Sequence, residues 1–573
     1  MILALLLLSV FILLWLQKIP LFAKLLILFS SLLLSATMLK SGLLYPYGLA
    51  FWGPNGHDAI WHLAVINQLK QNIPPLNPIF SGFSLNSYHW GFDLLSALIS
   101  KISRLSSLDT YFRFLPLTMA IFIGLFSYKF IKKPKTALIF VFLNYFAGSF
   151  GWLVTLLRSG QIGGESLFWS MQSASTLINP PYALSLVLLL SGLYLWQKNQ
   201  SSSQKASALL LGLYFSLLTG IKIYAAILVG LTFSLLLLFK LLRSKAHPFD
   251  FLLPASMAFF SALVAFFLRL FSGASLLQFK PFWFVHSLVE SLDKLYLPRL
   301  AALRFNLSSQ IFSFKLPLFL ALEIFFFGLF LFGNLGFRSL GFKILYQKIK
   351  KNRLSSLDQF VSIFMILALA IPTLFVQKGT AWNTIQFFYY FLLFANYYFA
   401  HFLSHIKSNI LLVFLLLLTS VTSYATLKDY FGSPSPSTLP LAELQALDFL
   451  QKQKPGIVLT YPYDAYLKKD IATPLPLYIY ETTAYVSAFS SHQSFLEDEM
   501  NLTITGFDWP TRRQQIENFF QTDNVYQAKG LLLNNQIDYV YLLDHQLLPY
   551  SPQDLQLTLI YDQAGVKIYQ VQR

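Results

Sequence analysis

The 573-residue chain contains no cysteine. That excludes disulfide scaffolds, thiolate metal centres and cysteine nucleophiles together. Charge is scarce as well: 12% of residues are Asp, Glu, Lys or Arg, against about 25% in a soluble domain. Acidic groups are the scarcest of all, with only nine in residues 1–427. Several motifs are missing too: a glycine-rich phosphate loop ending in Lys-Ser/Thr, a dinucleotide glycine fingerprint, His-Glu-x-x-His and Gly-x-Ser-x-Gly. A nucleotide-driven pump or a soluble-type hydrolase therefore has no support.

What is present is apolar: 55% hydrophobic residues, 17% aromatic, with 58 phenylalanines. This excludes both a solvated disordered coil and an ordinary soluble enzyme. The net charge of +17 divides unevenly, since residues 428–573 hold 10 basic and 16 acidic residues while 1–427 hold 32 and 9. The basic excess thus lies in hydrophobic territory, where it reports membrane orientation rather than contact with nucleic acid.

A helix crossing about 30 Å of hydrocarbon needs about 20 mostly apolar residues. Twelve candidate spans are expected near 2–16, 21–38, 113–131, 137–157, 180–196, 206–220, 221–239, 251–268, 316–333, 360–376, 384–402 and 410–426. The fold class is therefore mainly α, a polytopic transmembrane bundle. Alternate connections carry 18 basic residues, in clusters such as Lys129/Lys132/Lys133/Lys135 and Arg338 to Arg353. Positive-inside bias puts these in the cytoplasm. The long loops 39–112, 158–179 and 269–315, and the tail, then face outward from the plasma (cytoplasmic) membrane. Two domains are expected: residues 1–427 in the membrane, and an extracytoplasmic α/β domain at 428–573. The latter begins after the turn-rich Gly432-Ser433-Pro434-Ser435-Pro436-Ser437. Within 39–112, helices near 57–71 and 91–104 have the apolar spacing of helices lying on a membrane surface.

The densest polar constellation is Gly56-His57-Asp58-Ala59-Ile60-Trp61-His62. Asp58 and His62 are four apart and share a helix face, and His89 with Asp93 repeats the spacing in reverse. A partly desolvated Asp58 beside imidazole can act as general base towards an acceptor hydroxyl. Alternatively, Asp58, His62, His89 and Asp93 could hold a divalent cation such as Mg or Mn, or merely cap and solvate helices. Glu165 is the one carboxylate of the second outer loop. Lys222 is an intramembrane cation that seeks an anion or snorkels to the interface. Lys378, Asn383 and Gln386 offer donors to phosphate or sugar hydroxyls. In the tail, Glu497-Asp498-Glu499 and Arg512-Arg513 read as a charge-paired surface, or as groups that cover the site and grip an acceptor.

This layout resembles the GT-C superfamily of integral-membrane glycosyltransferases, which includes protein mannosyltransferases and bacterial aminoarabinose transferases. The resemblance rests on the long first outer loop with its early Asp58 and His62, on Glu165 in the second, and on the outward tail. It implies a polyprenyl-phosphate-linked sugar donor, a glycan, lipid or protein acceptor, and inversion at the anomeric centre. His57-Asp58 replaces the family's carboxylate pair. The rival classes are a secondary transporter or a lipid or polysaccharide flippase, and a structural scaffold. Separating them is a matter of which groups meet in space.

Overall fold

A computed structural model describes residues 1–170, 173, 175–199, 205–270, 277–309 and 314–573. Parts of the expected 158–179 and 269–315 loops lie outside the described residues. Among those described, seven helices are long and apolar enough to cross a bilayer, or eight if the Pro134–Phe146 and Gly151–Ser159 pair, bent by 49°, forms one span. The shorter apolar helices Ile2–Trp15 and Lys205–Ile221 fall below that length. Twelve were expected. Part of the difference has a packing reason. The Gln386–Ser404 helix has fourteen of its nineteen residues buried against protein, so it carries Asn396 and four tyrosines that a lipid-facing helix would avoid.

Local chemistry sets the helix ends. Pro134, Pro180 and Pro248 open their helices, where the missing N–H costs nothing. Ser355 and Asp358 form a capping box at the start of Ser356–Leu374, and Asp358 also pairs with Lys348 at 2.6 Å.

The basic connections meet one another. Lys129 Nζ donates to Gln17 at 2.6 Å, Lys135 Nζ donates to the Ile406 carbonyl at 3.1 Å, and Lys240 pairs with Asp250 at 2.5 Å. The Ile223–Leu242 helix therefore runs from Lys222 at one end to Lys240 at the other, about 27 Å at 1.5 Å per residue. Lys222 alone separates it from Lys205–Ile221, with an extended backbone (φ −154°, ψ 95°) that makes a tight turn.

At the Lys222 end, the first long loop and the tail fold together. The hairpin Leu43–Tyr45/Gly48–Phe51 pairs antiparallel with Ser437–Pro440, which in turn pairs with Leu475–Pro476. Gly48 is required there: its φ is +128°, and a Cβ would stand 2.1 Å from the Leu439 carbonyl oxygen. The tail's larger sheet has the order Leu557–Gln563, Val566–Val571, Ile537–Leu543, Ile457–Thr460, Gln493–Ser494. Its last pairings are parallel, between Ile457–Thr460 and its two neighbours.

The Asp58–Gln71 helix departs from the expected surface position. Ten of its fourteen residues are buried, because it packs between Gly91–Ser103 and the tail helix Tyr485–Ser490. Gly91–Ser103 keeps an apolar outer edge, with Leu98 42% and Ile102 82% exposed. Its first residue, Gly91, lies so close to Gly220 that a Cβ would sit 2.6 Å from the Gly220 oxygen. Gly91→Ala should therefore push the Lys222 turn outward. The expected result is a kcat loss of about tenfold or more from misplacement of about 1 Å, measured beside a circular-dichroism melt that shows the fold retained.

Candidate functional site

A cavity of about 290 Å³ opens where these elements converge. Asp58, Trp61 and His62 enter it from the start of the Asp58–Gln71 helix, and Tyr88 and His89 from the loop before Gly91. Asn179, Lys222 and Asn383 come from the turns just before the helices Pro180–Asn199, Ile223–Leu242 and Gln386–Ser404, Tyr224 and Gln386 from the first residues of the last two, and Asn501 from the tail helix Glu499–Thr505 closes it. Segments nearly 450 residues apart thus share one chamber.

Asp58 is the accessible anion of this chamber. Its side chain is 60% exposed, whereas His57 beside it is 11% exposed. His57 Nδ1 lies 2.9 Å from Asp58 Oδ1, and His57 Nε2 lies 3.4 Å from Asp498 Oδ1, an ion-pair separation rather than an aligned hydrogen bond. Burial opposes charge on His57, but Asp498 and Asp58 outweigh it and raise its pKa to about 11. Enclosure pushes the Asp58 carboxyl up, yet the His57 hydrogen bond and charge, with His62 and Lys222, hold it below the usual carboxylate range. Asp58 is consequently ionised at neutral pH.

The expected i, i+4 pairs rearrange across helices. His62 Nδ1 meets Asp93 Oδ1 at 2.7 Å, with the Tyr88 hydroxyl at 3.4 Å. Asp93 is wholly buried behind His62, and that burial raises its pKa against the pull of the imidazole. His89 lines the cavity as a neutral imidazole: burial and the charge of Lys222 lower its pKa to about 3. Its Nδ1 is buried with no hydrogen-bond partner.

Lys222 lines the same chamber within reach of the Asp58 charge and is 4% exposed. Its Nζ donates to Asn179 Oδ1 at 3.3 Å, Asn179 Nδ2 donates to Gln386 Oε1 at 3.3 Å, and Gln386 Nε2 reaches Asn383 Oδ1 at 3.5 Å. Three residues singled out in the sequence are thus joined by one that was not. Asn179 precedes Pro180-Pro181 and reads as a plain helix start. The usable signal was an amide whose nitrogen is left over after capping. Tyr224, whose hydroxyl lies 3.5 Å from Gln377 Oε1, and Asn501 were missed altogether.

Other expected site residues lie elsewhere. Glu165 does not line the cavity; it is grouped with Thr426 and Asp429, and burial raises its carboxyl to about 7. Lys378 is exposed outside the lining. The four-residue cation site at Asp58, His62, His89 and Asp93 does not assemble, because Asp93 is spent on His62 and has no route to the chamber. Among the described residues no group of three or more His, Asp or Glu side chains is placed to hold a metal ion. Glu323, within the Leu316–Leu335 helix, is paired with His286 at 2.8 Å and Arg304 at 2.7 Å.

The two tail arginines are structural rather than acceptor-gripping. The Arg512 guanidinium sits 3.6 Å from the Phe80 ring centroid and donates to the Phe495 and Ser81 carbonyls, both at 2.8 Å. Arg513 is held by Glu499 at 2.6 Å and Glu517 at 2.7 Å. Arg512→Ala should cost about 2–4 kcal/mol, from two lost charge-assisted hydrogen bonds and a stacked cation. A denaturant melt would show that loss while donor KM stays at the wild-type value. The acidic run is likewise not a solvated surface. Glu497 accepts from the Val486 and Ser487 N–H groups and from both the Ser487 and Ser494 hydroxyls, Asp498 faces His57, and Glu499 binds Arg513.

No family model matches the chain, and a comparison with curated proteins finds no match. Solved structures do show similarity. The archaeal oligosaccharyltransferase AglB from Archaeoglobus fulgidus, in complex with an inhibitory peptide and a dolichol-phosphate, is 12% identical over 96% of this chain and 74% of its own, with a TM-score of 0.48. The apo oligosaccharyltransferase of Archaeoglobus fulgidus is 14% identical over 91% and 70%, also at 0.48. Its complex with Zn and sulfate is 15% identical over 91% and 68%, again at 0.48.

Proposed function

We propose that the chain is a membrane glycosyltransferase that moves a sugar from a polyprenyl-phosphate carrier to an acceptor hydroxyl on the outer face of the membrane. The observation that carries this reading is that one cavity holds both an accessible anion, Asp58, and a buried cation, Lys222. The same cavity adjoins a lipid-side furrow. That furrow, about 500 Å³, is lined by small and apolar residues including Ala226, Gly230, Ala258, Ala262 and Ala265. It shares Ile223 and Ile227 with the cavity.

A carrier with a branched hydrocarbon tail matches such a surface, because the small side chains leave depth for its methyl branches. Its phosphate then reaches Lys222 at the membrane boundary, where a desolvated cation stabilises developing charge most strongly. The sugar faces Asn179, Asn383, Gln386 and Tyr88, which supply hydrogen-bond partners, and Trp61 and Tyr224, which supply apolar ring faces.

The acceptor hydroxyl donates to Asp58. Its oxygen attacks the anomeric carbon while the bond from that carbon to the phosphate oxygen breaks. Asp58 takes the proton, and the carrier phosphate leaves against Lys222. A carboxylate with a depressed pKa is a weak base, so proton transfer comes late, when an oxocarbenium-like centre has already acidified the hydroxyl.

Mass spectrometry of lipid that copurifies with the protein tests the donor class. Polyprenyl phosphate or its sugar conjugate is expected; bulk phospholipid alone would count against the reading.

A further inference from the structure

Asp498 belongs to the tail, yet its carboxylate stands against the imidazole that holds the candidate base. It is 1% exposed, with Oδ1 3.4 Å from His57 Nε2, while His57 Nδ1 lies 2.9 Å from Asp58 Oδ1. Three side chains from two distant parts of the sequence therefore form a line that ends in the cavity.

Each link is fixed from outside. His57 follows Gly56, where an added Cβ would stand 2.3 Å from Ser437 Oγ and 2.9 Å from the Tyr480 ring, so the tail grips the chain just before the imidazole. Asp498 has a left-handed backbone (φ 46°, ψ 62°), which only Gly, Asn and Asp adopt readily. Glu497 pins it on one side: its backbone N–H donates to the Ile79 carbonyl at 3.0 Å and its carboxylate is fully bonded. On the other side Asp498 caps the Glu499–Thr505 helix, accepting from the Asn501 N–H at 3.1 Å and from Asn501 Nδ2 at 2.7 Å. That helix brings Asn501 and Ile504 to the cavity wall.

We infer that Asp498 is a positioning residue for the transfer reaction: acting through His57, it orients the Asp58 carboxylate, and so makes the tail a working part of the active site. The inference rests on the reading of Asp58 as the base. Asp498, against Nε2, keeps His57 doubly protonated, so that Nδ1–H still donates to Asp58 Oδ1 and leaves Oδ2 for the acceptor hydroxyl. The arrangement follows the general logic of a base oriented by a third group, with the imidazole here as the orienting donor. Among the described residues, the other charged or titratable groups that act on this line are Lys222, His62, Tyr88, Tyr111 and Tyr480 around Asp58, and Glu499 next to Asp498.

Asp498→Asn separates this role from helix capping, because Asn caps equally well and tolerates the same backbone. In full-length protein in lipid nanodiscs, with a defined polyprenyl-phosphate sugar as donor, kcat should fall about tenfold to a hundredfold through loss of orientation. Donor KM and melting temperature should hold. The alkaline limb of the kcat profile should move to lower pH by about one unit or more, since His57 loses one of the two carboxylates that hold its proton. His57→Asn, which cannot titrate, should lower kcat and abolish that limb. Wild-type kcat and pH profile in Asp498→Asn, alongside an inactive Asp58→Asn, would overturn the inference and leave the base assignment standing. An active Asp58→Asn would overturn both.

Discussion

Asp58→Asn is expected to lower sugar transfer by about 10²–10⁴-fold, the range supplied by a positioned general base. The amide fills the same volume but cannot take a proton. Asp58 opens the Asp58–Gln71 helix, so losing its charge also forfeits a favourable interaction with the helix N-terminus, worth about 0.3–1 kcal/mol. That is too little to unfold a chain this size, and donor KM should change little. The pH dependence carries the same assignment. Because His57 holds the Asp58 carboxyl below its ordinary range, kcat should persist as pH falls through the usual carboxylate values and drop only below them. The same depressed pKa adds stability that is present above the unfolded value and lost as pH falls through the folded one. A steady-state kcat profile of wild type against Asp58→Asn checks both points.

Lys222→Ala should raise donor KM by at least about tenfold and lower kcat by about 10²–10³-fold, as expected when a group aimed at developing negative charge is removed. Acceptor KM should stay near wild type, because in this reading Asp58, not Lys222, meets the acceptor hydroxyl. The backbone at Lys222 is extended and open to alanine, so the turn between its two helices should survive. The loss also leaves Asn179 Oδ1, which accepts the Lys222 Nζ bond at 3.3 Å, with the Tyr182 N–H as its remaining donor, also at 3.3 Å. Titration with a donor of fixed chain length measures the effect, and an unchanged donor KM would show that the phosphate sits elsewhere.

Much of this was legible in the sequence. In the tail, residues 457–459 and 539–542 read as strands, 511–520 as a helix and 557–569 as a hairpin, and the structure has Ile457–Thr460, Ile537–Leu543, Trp509–Gln521 and the antiparallel pair Leu557–Gln563/Val566–Val571 there. The scarcity of acidic residues pointed to Asp58, and an intramembrane lysine pointed to Lys222. What stayed hidden depends on contacts between distant segments. Spacing put His62 with Asp58, but tertiary packing gave it Asp93, thirty-one residues away. A run of three acidic residues looks solvated until the Ser487 and Ser494 hydroxyls, His57 and Arg513 are brought to it from other elements. Arg512 reads as a ligand-gripping cation because nothing local reveals Phe80 beneath it. Asn179 looks like a helix cap, and its second use depends on Gln386, over two hundred residues on.

Reconstitution into liposomes with a labelled polyprenyl-phosphate sugar and an excess of acceptor decides between group transfer and passage of an intact lipid. The expected result is sugar on the acceptor with stoichiometric release of polyprenyl phosphate, both lost in Asp58→Asn. Movement of the intact conjugate across the bilayer with no free polyprenyl phosphate, at equal rates in wild type and Asp58→Asn, would contradict it.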